Sequence, residues 1–222
     1  KSQAARRAFE HKLIVRETTF SLRQASEASI QDIYRELAHD EARNQRIIDD
    51  VVALIEEGRS PILLTERKDH LEHLAERLRR LVRHVVVLQG GMSEKERRRI
   101  GAELAAIPDD EERVLLATGR YVGEGFDDAR LDTLLLTMPV SWKGTLVQYS
   151  GRLHRRHPNK TEVRIYDYVD VNVPVLLRMF EKRLATYRAI GYARGEAPLG
   201  MVEPLEERII EYDVGGGEPF EA

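Results

Sequence analysis

The sequence predicts an α/β domain built on a central, mainly parallel sheet with helices on both faces. Two observations carry that expectation. Short uninterrupted apolar runs, such as Pro61–Thr65 (PILLT), Val114–Ala117 (VLLA) and Thr133–Thr137 (TLLLT), mark strands buried on both faces. Between them lie stretches with helical periodicity, so strands alternate with helices. Composition agrees: 42% hydrophobic and 33% charged residues over 222 positions describe a chain able to bury a core of ordinary size. The 35 Lys and Arg against 38 Asp and Glu leave a net charge of -3, which excludes a uniformly basic nucleic-acid coat. With no Cys, disulfides, thiol catalysis and Cys-based zinc sites are excluded. The apolar runs are too short to span a membrane, and Lys1–Glu10 is charged, so the expected compartment is the cytoplasm.

In chain order, Leu13–Phe20 reads as a strand and Ile30–Glu57 as one long or two short helices. After Pro61–Thr65, the residues Leu71, Leu74, Ala75, Leu78, Leu81 and Val82 recur at helical spacing over Asp69–Val82. Val85–Leu88 is the next strand. Ser93, with Glu96 three residues on, forms a capping box that opens a helix to about Ala106. Gly144–His154 reads as a helix, Val163–Tyr168 as a strand, and Val175–Tyr192 as a long amphipathic helix. Residues 1–57 are expected to be a basic linker and strand with a helical segment, since Lys1–Gln24 holds six Lys/Arg against two Glu. Residues 58–194 are the expected main domain. Residues 195–222, with three Pro and the run Gly215–Gly217, form a tail of doubtful order.

Chemistry is expected beyond the carboxyl ends of the strands, where parallel α/β sheets bind their ligands. Thr118 to Asp127 (TGRYVGEGFD) follows a strand directly and holds three glycines, which let a backbone approach a ligand closely. Asp127 is suited to accept from a sugar hydroxyl and Thr118 to donate to a phosphate; a plain glycine-rich turn is the competing description. Gln148, Gly151, Arg152 and Arg155 fall at i, i+3, i+4 and i+7, one stripe of a helix. Two guanidiniums and an amide behind a small residue suit a phosphate, because Arg presents a planar fork of permanently charged donors. A solvated basic helix end, Arg152 to Lys160, is the competing description there. His70 and His73, at i and i+3, lack the further ligands that a metal site needs. Trp142 is more simply a packing residue than a base-stacking platform.

Gln148-Tyr149-Ser150-Gly151-Arg152-Leu153-His154-Arg155 resembles motif VI, Q-x-x-G-R-x-x-R, of superfamily 2 DEAD/DEAH-type helicases and translocases. Ala117-Thr118-Gly119 with Glu124-Gly125-Phe126-Asp127 resembles their motif V. Ile62 to Arg67 resembles motif IV, and Gln89-Gly90-Gly91 the small motif between IV and V. The resemblance covers residues 58 to 170 and implies a RecA-like domain, the C-terminal one of two. It implies that Arg155 is an arginine finger, that Arg152 and Gln148 attend the γ-phosphate of ATP, and that Gly125 and Asp127 lie near the ribose. Thr118, Thr65, Arg67 and Gln89 would contact the nucleic-acid backbone, DNA in preference to RNA. Glu124 stands where many relatives carry Arg, and His154 where they often carry Gly.

No G-x-x-x-x-G-K-[ST] phosphate loop and no D-E-x-H or D-E-x-D box occurs in the chain. ATP and Mg²⁺ are therefore expected to be held mainly by an N-terminal RecA-like domain of the same polypeptide. That fits a chain starting at Lys1 with all four Met at residue 92 or later. The isolated chain is expected to be inactive. Two other readings stay open: a non-hydrolysing nucleic-acid-binding or scaffold domain with the same fold, and an unrelated α/β enzyme with a donor bound at the glycine loop.

Overall fold

The computed structural model describes residues 9–23, 28–118, 128–140, 143–158 and 160–194. The first strand, β1 (Glu10–Glu17), is followed by α1 (Ile30–Ala38), α2 (Glu41–Glu56), β2 (Pro61–Thr65), α3 (Lys68–Leu78) and β3 (His84–Leu88). Next come α4 (Glu94–Ala106), β4 (Arg113–Thr118), β5 (Thr133–Leu136), α5 (Lys143–Leu153), β6 (Glu162–Val169), α6 (Pro174–Ile190) and the two-residue β7 (Ala193–Arg194). The strands form one sheet in the order β3-β4-β2-β5-β6-β1-β7, and every pairing is parallel. This is the architecture that the apolar runs predict.

Every residue of β2, β4 and β5 is buried, as strands covered on both faces must be. Alternation divides their side chains between two cores. Ile62, Leu64, Leu115, Ala117, Leu134 and Leu136 pack with Ile100 and Leu104 of α4, Leu146 and Tyr149 of α5, and Tyr187 of α6. Leu63, Val114, Leu116 and Leu135 pack on the opposite face with Ile47, Val51 and Leu54 of α2 and Leu71, Leu74 and Leu78 of α3. A smaller cluster joins Phe20, Ile33, Leu37, Met138, Val173 and Leu176, fastening α1 to the start of α6.

Local signals set the helix ends. Ser93 accepts from the Glu96 amide while the Glu96 carboxylate accepts from the Ser93 amide at 2.8 Å, the predicted capping box. Ser29 and Asp32 make the same arrangement at α1. Asp40 caps α2, so the helical segment 30–57 is two helices. Pro174 opens α6 and Gly191, at φ 84°, closes it in the left-handed conformation.

The core does not divide at residue 58. β1 lies between β6 and β7, in register from Glu10↔Glu162 to Glu17↔Val169, and α2 covers the sheet. The basic residues that suggested a linker are partly structural: Arg16 is buried against Asp50, with Nη2 to Oδ1 at 2.8 Å. β7 has no counterpart in the sequence reading, because two residues carry no periodicity.

Candidate functional site

α3 leaves β2 on one face of the sheet and α5 leaves β5 on the other, while β2 and β5 are neighbours. Their carboxyl ends therefore flank a topological switch point, where parallel sheets open a crevice. The residues singled out from the sequence form two groups, one at these carboxyl ends and one on α5, whose end meets His11 near the amino end of β1.

The first group lies along the ends of β3, β4 and β2. Thr65 and Thr118 are register partners, and Gln89 follows Leu88, the partner of Ala117. Both threonines are buried, at 3% and 7% exposure. The Thr118 hydroxyl accepts from the Gly90 amide at 2.9 Å and so fastens the Gln89–Gly91 turn. The Thr65 hydroxyl lies 3.0 Å from His70 Nδ1, and His70 Nε2 lies 2.9 Å from Asn44 Oδ1. Asn44 Nδ2 donates to the Ala38 carbonyl, so its oxygen must accept from His70 Nε2–H. His70 Nδ1 then accepts from Thr65, whose oxygen in turn accepts from the Arg67 amide. Burial, with Arg43 and His73 nearby, lowers the His70 pKa to about 3, which keeps the ring neutral as this chain of bonds requires.

Thr65 thus gives its hydroxyl proton to His70 within the domain. His70 is its locking partner and not a metal ligand. Among the described residues, no group of three His, Asp or Glu is placed to hold a metal. Arg67 and Gln89 are partly exposed at the same edge, and Arg67 is held by both oxygens of Asp69, at 3.0 and 2.7 Å.

The second group is carried by α5 and the turn after it. Leu146, Tyr149, Ser150 and Leu153 are buried. Gln148 and Gly151 are exposed and Arg152 is half-buried, so the predicted stripe faces outward. The helix ends at Leu153, however, and Arg155 is an exposed residue of the following turn, not a fourth member of the helical stripe. His154 stacks on His11 of β1, with ring centroids 4.5 Å apart, and its Nε2 lies 3.1 Å from the Tyr192 hydroxyl. This imidazole pins the turn to β1 at the position where glycine was noted as common. The approach to α5 is pinned too. Arg183 of α6 donates to the Val140 carbonyl at 3.2 Å and grips both oxygens of Asp167, at 2.7 and 2.8 Å.

Gly125, Asp127, Glu124 and Trp142 lie outside the described residues.

At Gly151 an added Cβ would meet nothing within 4 Å, so nothing in the described domain requires a glycine there. Glycine inside a helix is less stable than alanine by about 0.5–1 kcal/mol. Gly151→Ala is therefore expected to raise the denaturation midpoint of the chain. If the bare surface serves an outside ligand, the same variant loses nucleic-acid-stimulated ATPase. Thermal melts and ATPase rates on one variant check both signs.

Comparison with known proteins agrees with this geometry. The helicase conserved C-terminal domain family matches residues 43–157, just over half of the chain. Uncharacterized protein 108L of invertebrate iridescent virus 3 is 38% identical over 84 residues, covering 37% of this chain and 75% of that protein. Among solved structures, T4 UvsW aligns with 83% of this chain at a TM-score of 0.64 and 15% identity, over 40% of its own length. S. cerevisiae Dbp5, bound to RNA and ADP BeF3, aligns with 84% at a TM-score of 0.53 and 15% identity, also over 40% of its length. The chain thus spans about two fifths of those two structures. Its parallel sheet and the family match agree: the chain belongs to the helicase conserved C-terminal domain family and has a RecA-like fold.

Proposed function

We propose that this chain is the C-terminal motor domain of an ATP-dependent helicase or translocase acting on nucleic acid, DNA ahead of RNA. The observation that carries the reading is the outward face of α5. Gln148, bare Gly151 and Arg152 point away from the core, and Arg155 follows in an exposed turn. An amide and two guanidiniums beside an unfilled helix surface fit a polyphosphate presented from outside the domain.

ATP with Mg²⁺ would supply the phosphoryl group whose transfer to water drives the motor, held mainly by an N-terminal RecA-like domain of the same polypeptide. The chain's own residues do the rest. Arg155 stabilises negative charge on the transferred phosphoryl group, Arg152 holds a neighbouring oxygen, and Gln148 reports whether the γ-phosphate is present. Gly125 and Asp127 attend the ribose. The Gln89–Gly91 turn and Arg67 meet the nucleic-acid backbone, with Thr118 and Thr65 bracing them from behind. Contacts to phosphate position a strand without reading its sequence. Closure of the two domains and their release then move these contacts along the strand. The RNA bound to Dbp5 makes RNA the second arm of the test.

The experiment is ATPase activity of the polypeptide carrying both motor domains, with single-stranded and duplex DNA, with RNA, and without nucleic acid; this chain alone is the control. Stimulation by DNA with a silent isolated chain is the expected result. Stimulation by RNA alone moves the substrate assignment. No ATPase with any nucleic acid overturns the motor reading in favour of a non-hydrolysing scaffold.

A further inference from the structure

Five residues beyond Arg155 lies a buried cation that neither motif contains. Lys160, 9% exposed, donates from one ammonium group to three carbonyls: Ala129 at 2.7 Å, Leu153 at 3.0 Å and Arg155 at 2.9 Å. Ala129 lies two residues after the glycine-rich segment. Leu153 ends α5, and Arg155 is the finger of the proposed function. The ammonium also sits 5.6 Å from the centroid of the Phe9 ring. An ammonium has three N–H donors, so its capacity is matched with none left over. Helix ends leave their last carbonyls without intrahelical partners, and here one side chain serves both the helix end and the turn beyond it.

We propose that Lys160 is a positioning residue, which holds the Arg155 turn at a set place relative to the exit of the glycine-rich segment. It acts through Arg155 and touches no substrate. The inference rests on the motor reading above, and it adds a residue outside the motif.

The charge is held against its surroundings. Burial lowers the Lys160 pKa to about 8, although Asp132 and Asp128 oppose the shift; Arg59 adds to it. Asp128 is itself engaged by Arg113, at 2.6 Å, and by Arg130. Above pH 8 the amine keeps two donors for three carbonyls, so one bond is lost. The sign for stability is the reverse. A lysine whose pKa is lower folded than unfolded makes the folded state gain stability as pH rises from about 8 towards the ordinary lysine value near 10.5. Turnover falling while stability rises, both dependent on Lys160, is not the behaviour of a residue that only holds the fold together.

The test is a double-mutant cycle in the two-domain protein, with Lys160→Met, Arg155→Ala and both together. Lys160→Met is expected to lower kcat about tenfold with little change in KM for ATP. In the Arg155→Ala background it is expected to cost nothing. Amide hydrogen exchange across 153–157 in nucleotide-free protein should quicken in Lys160→Met, a readout independent of ATPase. An unchanged kcat in folded Lys160→Met overturns the proposal, as does an equal loss in both backgrounds. If Arg155→Ala retains full activity, the finger assignment fails instead, while hydrogen exchange still reports on the clamp. Should Lys160→Met not fold, Lys160→Arg decides: its charge persists above pH 8, so the alkaline loss of kcat seen in the wild type must vanish. A wild type with no such loss overturns the proposal.

Discussion

Replacement of Arg155 by alanine is expected to lower nucleic-acid-stimulated ATPase by about a hundredfold or more, with the fold intact. The two halves of that result have separate causes. Arg155 is exposed and lies beyond the end of α5, so removing its side chain opens no cavity in the core. Its backbone, by contrast, is held from behind by Lys160 and flanked by the stacked His154. A guanidinium on so fixed a base has little reorganisation left to undergo when charge develops on a phosphoryl group. That is the condition under which a single donor is worth about 10²–10³ in rate. The loss should appear in kcat with KM for ATP little changed, because the contact forms in the transition state. Arg155→Lys should recover little, since an ammonium lacks the planar fork. Steady-state kinetics with saturating DNA settle the matter: an alanine variant at wild-type kcat removes Arg155 from the chemistry.

The largest effect on stability is expected at Asp167. Its carboxylate, 1% exposed at the residue level, accepts two bonds from Arg183 and one from the Tyr187 hydroxyl at 2.6 Å. Asp167→Ala leaves a buried guanidinium without its counter-charge, a change that costs about 3–5 kcal/mol. Arg183 also holds the Val140 carbonyl, just ahead of α5, so the outward face of that helix loses an anchor as well. Urea denaturation is the measurement, with the midpoint falling and the slope retained. The double variant Asp167→Leu with Arg183→Met should be less destabilised than Asp167→Ala, because it leaves no unpaired charge behind. Equal midpoints for wild type and Asp167→Ala would show that the pair contributes nothing.

Sequence and structure part company in an orderly way here. Apolar runs at β2, β4 and β5 were legible because a doubly covered strand tolerates little else, and Ser93 with Glu96 was legible because a cap is a local interaction. The outward stripe of α5 was legible as far as Arg152, since helical periodicity holds only while the helix lasts. Arg155 falls in the turn beyond it. β1 was legible in part: Leu13–Phe20 read as a strand, but its basic residues suggested a linker, whereas Arg16 is buried against Asp50, a pairing of residues 34 positions apart.

The hydroxyls of Thr65 and Thr118 show the same limit from the other side. Thr65 gives its proton to His70 and the Thr118 oxygen accepts from the Gly90 amide, and the packed structure alone supplies both partners. Lys160 stood in the sequence as one charge in a basic run, Arg152 to Lys160, with a solvated helix end as one description of it. Folding brings Ala129, Leu153 and Arg155 around it and turns a surface charge into a buried clamp.

What the sequence by itself determined is what depends on short-range order: the parallel α/β class, the helix starts, and the identity of the residues facing outward on α5. Which polar groups remain available for a ligand was decided only by the tertiary structure. Burial obliges each polar group to find a partner, and those partners come from strands and helices that are distant in the chain.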